Sequence, residues 1–178
     1  VIKIFEDNID AAAEEIIGIL GRTRQESVIY LDGWFHERLG ASAVLKAVVE
    51  RYRSLWSSEA GATRKAAAGL DKIIHIDCSL WQSMRSLQKA IAEELKLPQE
   101  VMIFFDQVDE EDDFDGVPQA ARGAIPDVKS AIFNVLSNYK FLVVFHNGSG
   151  NYVDLWQCGV PAMGVMGKRV LWTSRGRG

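Results

Sequence analysis

The sequence predicts an α/β fold in which helices cover both faces of a mainly parallel central sheet, that is, a three-layer domain. Four short runs are apolar throughout, as strands buried on both faces of a parallel sheet must be. Segments with apolar residues at helical spacing alternate with these runs, which is typical of successive βα units. The length of 178 residues, with 48% apolar and 25% charged residues, fits one globular domain. We therefore expect residues 1–178 to form a single domain that belongs to a longer multidomain protein.

The first half of the chain is predicted to contain an opening helix followed by two βα units. In chain order these are a helix over residues 9–20, a strand over 27–32, a helix over 41–56, a strand over 72–77 and a helix over 80–97. Gly33 stops the first strand, and Pro98 stops the last of these helices. The inward face of that last helix is predicted to carry Met84, Leu87, Ile91, Ala92 and Leu95.

The second half opens with an acidic run, since residues 106–115 hold seven carboxylates in ten positions. We interpret it as a solvated loop rather than a cation site, because it lacks the glycine and the spacing of a calcium loop. A helix is predicted over residues 128–138, a strand over 141–145, a turn-rich stretch over 147–167 and a strand over 168–175. We expect the strands over 27–32 and 141–145 to be central, flanked by those over 72–77 and 169–174.

The charge and cysteine content indicate which partners and compartment to expect. Twenty basic and 24 acidic residues give a formal charge of −4, and the basic residues are scattered, so nucleic-acid binding is not expected. No apolar run is long enough to cross a membrane. Cys78 and Cys158 are far apart and form no CxxC pair, which favours reduced thiols and a cytoplasmic or nuclear location over a disulfide.

The segment between the first strand and its helix has the setting of a phosphate-binding loop. Such a loop uses glycines at a helix N-terminus, a Lys for the β- and γ-phosphates and a Ser or Thr for Mg²⁺. Here six residues separate Gly33 from Gly40, where the motif has four. Ala41 stands at the Lys position and Ser42 at the hydroxyl position. Taken alone, the stretch also fits a plain βα turn.

The strand over residues 141–145 is the second candidate, because nucleotide hydrolases end such a strand with aspartates that position magnesium and water. This chain has His146 and Asn147 there. A histidine at a strand end is either a hydrogen-bonded structural residue, which is the commoner case, or a metal ligand. The sequence therefore predicts no catalytic residue at this position.

Together these segments resemble the NB-ARC family, the nucleotide-binding switch domain of plant disease-resistance receptors. The similarity covers nearly the whole chain and keeps the family's order and spacing; its segments are residues 28–42, 72–79, 87–95, 139–147 and 169–175. The resemblance implies a P-loop NTPase-like fold that holds ADP at rest and ATP when active, with magnesium as a possible companion. It also implies flanking domains, among them a repeat domain, and a role in plant defence signalling.

The resemblance further implies which residues contact the nucleotide. They are Gly33, Gly40, Ala41, Ser42, Ala43 and Arg175, with Ser42 as the magnesium ligand. Because the Lys at position 41 and the carboxylates at 146 and 147 are missing, hydrolysis is expected to be slow at most. Two alternatives stay open: a scaffold module that no longer binds nucleotide, and an active NTPase with Lys46, Arg38 or His146 as replacements. Asp32 and Asp154 are further carboxylates that could substitute at the metal.

Overall fold

The chain folds into an α/β domain, which confirms the predicted class. The computed structural model describes residues 8–22, 28–32, 41–57, 72–78, 82–147, 153–161 and 168–174. Its helices are α1 (Ile9–Arg22), α2 (Ala41–Ser57), α3 (Met84–Glu94), α4 (Gln99–Phe114) and α5 (Pro126–Ser137), with short 3-10 helices at Gln119–Ala121 and Leu155–Cys158. Its strands are β1 (Val28–Asp32), β2 (Lys72–Cys78), β3 (Phe141–Asn147) and β4 (Lys168–Ser174).

The four described strands form one parallel sheet in the order β1-β4-β3-β2. The parallel pairing and the central place of β3 are confirmed. The central place expected for β1 is wrong, because β4 lies between β1 and β3 and leaves β1 at one edge of these four strands. An apolar run indicates burial on both faces, but it carries no information about which strand is its neighbour.

Helices pack on both faces of this sheet, as the alternation of β3 shows most clearly. Leu142 and Val144 pack in a cluster with residues of α1 and α2. Phe141, Val143 and Phe145 pack in a second cluster with residues of α3, α4 and α5. Successive strand residues point to opposite faces, so β3 serves both cores.

The two long connections between the described strands have the same hand. From β1 to β2 the chain crosses the sheet in one direction and places α2 on the face that carries α1. From β2 to β3 it returns in the opposite direction and places α3, α4 and α5 on the other face. Reversing both direction and face preserves handedness, in keeping with the strong preference of parallel crossovers for one hand.

α3 begins at Ser83, whose Oγ accepts a hydrogen bond from the Ser86 N–H at 3.1 Å. The residues predicted to face inward from this helix are buried or packed against the core. Gln88 is fully buried with them, and its amide group donates to the Ile125 carbonyl and accepts from the Ile125 N–H. This pair of bonds ties α3 to the residue that precedes α5.

The acidic run is helical, so its interpretation as a solvated loop is wrong. Residues 106–114 form the second half of α4. Arg85 of α3 is buried and contacts Asp109 at 2.9 Å and also Asp112. The buried Arg122 contacts Asp113 and reaches Asp109 at 3.6 Å. Two arginines from outside the helix therefore offset part of its charge.

The 3-10 helix Leu155–Cys158 closes the core between α3 and α5. Asp154 caps it by accepting a hydrogen bond from the Trp156 N–H at 3.0 Å. The free thiol of Cys158 lies 3.4 Å from the Met84 sulfur. Burial raises the pKa of this thiol to about 12, so it stays protonated and unreactive at neutral pH. The Cys78 side chain lies outside the described part of the structure.

None of the helices in the described ranges combines the length and apolar character needed to cross a lipid bilayer.

Candidate functional site

The last residues of the four strands are register partners, so the carboxyl ends of the strands form one row across the sheet. Asp32 of β1 pairs with Ser174 of β4, Ser174 pairs with Asn147 of β3, and Asn147 pairs with Cys78 of β2. Neighbouring strands lie about 4.8 Å apart, so the backbones at Asp32 and Asn147 are separated by about 10 Å. The end of β1, which precedes the predicted loop, and the polar end of β3 thus lie at one edge of the sheet.

The position of β4 adds a third predicted segment to this edge. Because Ser174 pairs with Asp32, the ends of β4 and β1 are direct neighbours. Arg175 and Gly33 follow these two residues in the sequence. Both of them, together with Gly40 and the rest of the predicted loop, lie outside the described residues.

α2 begins at Ala41, the position where a phosphate-binding loop would carry its Lys. Ala41 and Ser42 are its first two residues, and their side chains are outside the described part. Ala43 is exposed. The first N–H groups of a helix have no partner within it and carry a partial positive charge. The first turn of α2 contains no acidic residue to compete for them. This terminus is suited to an anion.

His146 and Asp77 lie side by side on the face of the sheet that carries α1 and α2. They are paired in the register of β3 and β2. Leu142 and Val144 point to this face, and His146 continues their alternation. Asp77 is exposed and His146 is half-buried. Asp77 therefore places a carboxylate on the strand next to His146, whereas a nucleotide hydrolase would carry an aspartate at the position of His146 itself.

His75 lies two residues before Asp77 on the same face. Its Nε2 is buried and has no hydrogen-bond partner in the described structure. Burial lowers the pKa of His75 most, and the positive charges of Arg53 and His146 lower it further, whereas Asp77 and Glu94 oppose the shift. His75 is therefore held in its neutral form at neutral pH.

A phosphate and a metal ion would require different groups at this edge of the sheet. A phosphate would meet backbone N–H groups at the start of α2, which need no Lys side chain. Across the described ranges, no three His, Cys, Asp or Glu side chains lie close enough together to hold a metal ion. Ser42, the expected magnesium ligand, cannot be assessed there because its side chain is not described.

Sequence reasoning missed three long polar side chains that are buried, Arg85, Gln88 and Arg122. Arg85 and Gln88 occupy inward positions of α3. Their helical spacing relative to the apolar residues was the one feature of the sequence that could have indicated their burial. No comparable signal marked Arg122, which precedes α5 in an irregular segment.

No protein-family model matches this sequence, and no curated protein matches it either.

Proposed function

We propose that the domain binds an adenine nucleotide, ADP or ATP, at the carboxyl edge of its sheet and acts as a regulatory switch. In this proposal the fold belongs to the three-layer P-loop class, and the parent protein is an NLR-like plant defence or signalling protein. The observation that carries the proposal is the register that aligns the carboxyl ends of β1, β4 and β3 across the sheet.

The alignment supports a nucleotide because open parallel α/β sheets bind ligands outside the carboxyl ends of their strands. The pairing of Asp32 with Ser174 supports a role for Arg175, since it places the chain before Arg175 next to the chain that enters the loop. A guanidinium beside a loop that leads to a helix N-terminus would meet a terminal phosphate. Backbone N–H groups, Arg175 and Ser42 are the proposed contacts.

Hydrolysis is proposed to be weak or absent. The end of β3 supplies His146 and Asn147, which cannot form the carboxylate shell that holds magnesium and orients water. Asp77 is the nearest described carboxylate in the register, but it belongs to the neighbouring strand and is exposed. Binding and turnover are therefore expected to be separable in this domain.

The second candidate function is a scaffold that keeps this fold and binds no nucleotide. The absence of a Lys at position 41 favours it, because a charge-assisted contact to phosphate is lost. The two functions differ in one measurable property, since only the switch binds nucleotide at concentrations found in cells.

Calorimetric titration of ADP and ATP, with magnesium and with chelator, tests the proposal. We expect measurable binding that magnesium strengthens little. Ala41→Lys should increase affinity roughly ten- to a hundredfold, because it restores a contact of about 1.5–3 kcal/mol to the phosphates. Gln99→Lys is the matched control, since it adds the same charge at an exposed position on α4. No binding by either the wild type or Ala41→Lys would support the scaffold instead.

Phosphate release by the same variants tests the separation of binding from turnover. Ala41→Lys alone should leave hydrolysis almost unchanged, because a bound phosphate without positioned metal and water gains little transition-state stabilisation. Turnover should rise only when His146→Asp and Asn147→Asp are added. Wild-type turnover as fast as that of the triple variant would contradict the proposal of a degenerate switch.

A further inference from the structure

The outward face of α4 carries two exposed apolar side chains in one stripe. Ile103 is 44% exposed and Phe114 is 92% exposed. They are 11 residues apart, which is close to three full turns, so they share a face and lie about 16 Å apart along the helix. Phe105, which is fully buried against the core, lies on the opposite side of α4. The fold therefore leaves nearly all of Phe114 and almost half of Ile103 uncovered.

Carboxylates surround this stripe and differ from those that face the arginines. Asp109, Asp112 and Asp113 contact Arg85 or Arg122. In contrast, the ion pairs among the described residues include none of the four exposed carboxylates beside the stripe; these are Asp106, Glu110, Glu111 and Asp115. Arg85 and Arg122 thus offset the charge of three carboxylates of α4, whereas the four outer carboxylates face solvent.

The position of these outer acids works against the helix that carries them. Negative charge near a helix C-terminus interacts unfavourably with the helix dipole, and the last turn of α4 has no basic residue to compensate. Gln107, Glu110, Glu111, Phe114 and Asp115 are all exposed at this end. A nearly fully exposed phenyl ring within a ring of uncompensated carboxylates is explained by neither packing nor helix stability.

We propose that this outer face of α4 docks a basic amphipathic helix of a partner protein. Lys or Arg side chains of that helix would pair with the outer carboxylates, and its apolar side chains would cover Phe114 and Ile103. The length of the stripe fits a helix lying along α4, as helices commonly pack. The proposal is independent of nucleotide binding, because the residues that carry it belong to α4 alone.

Charge complementarity selects this occupant over two others. A second copy that docked through the same face would place these carboxylates against themselves, at a cost from like-charge repulsion. An anionic lipid surface would be repelled for the same reason. A cationic helix gains attraction from every one of these groups and removes the exposed phenyl ring from water.

Selection from a phage library of helical peptides, randomised on one face, identifies what the surface binds. We expect the wild-type chain to enrich peptides that carry Lys or Arg together with apolar residues at helical spacing. Phe114→Ser should weaken the best peptide at least tenfold, and its folding should be unaffected because the side chain is almost wholly exposed. Fluorescence anisotropy with the labelled peptide measures this change.

Reversing the charge of two outer carboxylates tests whether the basic peptide binds this surface or is attracted by the negative charge of the domain in general. Glu110→Lys combined with Glu111→Lys should also weaken the peptide at least tenfold, whereas the matched double change Glu93→Lys with Glu94→Lys on the exposed side of α3 should alter affinity less than twofold. Enrichment of non-basic peptides, equal effects of the reversals on the two helices, or binding that survives Phe114→Ser would overturn the proposal. So would a dimer in sedimentation velocity that Phe114→Ser abolishes, because the occupant would then be a second copy.

Discussion

Of the four glycines Gly21, Gly116, Gly123 and Gly159, the last leaves the least room for a side chain. It ends the 3-10 helix Leu155–Cys158 with φ of 105°, in the left-handed region. A Cβ at this position would overlap the Lys129 carbonyl oxygen and lie 3.1 Å from the Ile132 Cβ. We expect Gly159→Ala to lower the free energy of unfolding by about 2–3 kcal/mol, since strain and overlap add. Urea denaturation measures the loss.

Substitutions at two other glycines distinguish the cost of backbone strain from the cost of steric overlap. Gly116 has φ of 71° with open space around it, so Gly116→Ala should show strain alone, about 1 kcal/mol. Gly123 has neither a positive φ nor a close neighbour, so Gly123→Ala should change stability by less than about 0.5 kcal/mol. Equal losses at Gly159 and Gly116 would show that the Lys129 carbonyl moves aside.

His75 should make the fold sensitive to mild acid. Its pKa is lowered in the folded state, chiefly by burial, so the unfolded chain binds a proton more readily between the folded pKa and 6.5. Stability from this group is fully present above pH 6.5 and is lost as the pH falls through the folded pKa. We expect His75→Leu to reduce the fall in melting temperature between pH 7.5 and 5.5.

The comparison at pH 7.5 controls for packing, because His75 is neutral there and any difference between the two proteins is independent of protonation. An unchanged pH dependence in His75→Leu would assign the acid sensitivity to other groups. The half-exposed setting of His75 keeps the expected effect modest.

Polar side chains were the residues least accessible to prediction. Helical spacing identified the apolar face of α3, and that face is confirmed. The same spacing did not distinguish Arg85 and Gln88 as buried, because their burial depends on partners supplied by α4 and by Ile125. Such partners are distant in sequence and follow no local pattern.

At the level of secondary structure, α4 depends on charges from its neighbours. Arg85 donates to Asp109 at 2.9 Å, to Asp112 and to the Gly123 carbonyl at 3.1 Å. Removing it leaves these acceptors without their cation in a largely buried setting. We expect Arg85→Ala to lower the free energy of unfolding by about 3 kcal/mol, the lower end for a broken buried pair, because Asp109 is partly exposed. Chemical denaturation measures it.

Arg53→Ala provides the control for that prediction. Arg53 reaches Glu94 at 3.8 Å on the surface, so its loss should cost less than about 1 kcal/mol. If the two variants were equally stable, the contacts of Arg85 would contribute no more than an exposed ion pair does.

The misassignment of the acidic run shows why composition alone is an incomplete guide to an element. Seven carboxylates in ten positions suggested a solvated loop. However, residues 99–114, which directly follow Pro98, contain neither Gly nor Pro. In addition, Val101, Met102, Phe105 and Val108 fall on one helical face. These features were enough to predict the helix, whereas the compensating arginines were not predictable.

For the molecule as a whole, the sequence predicted every described strand but not the order in which they lie. The runs over residues 27–32, 72–77, 141–145 and 169–174 predicted strands buried on two faces. Their lateral order depends on the crossovers, which no local pattern encodes. The same holds for the candidate site. The sequence predicted the segments that build it, but only the strand register of the structure shows that their ends align in one row.

The place of β4 between β1 and β3 has a consequence for synthesis on the ribosome. Among the described strands, β1 pairs with β4 alone. Val28 therefore cannot form its strand pair until Val170, far along the sequence, has been synthesised. β2 and β3 pair with each other and pack with α3, α4 and α5, so they can do this before β4 is synthesised. Closing so long a loop costs chain entropy before any contact repays it, so we expect β1 to join the sheet last. During translation its strand edge is a ready target for chaperones and for aggregation.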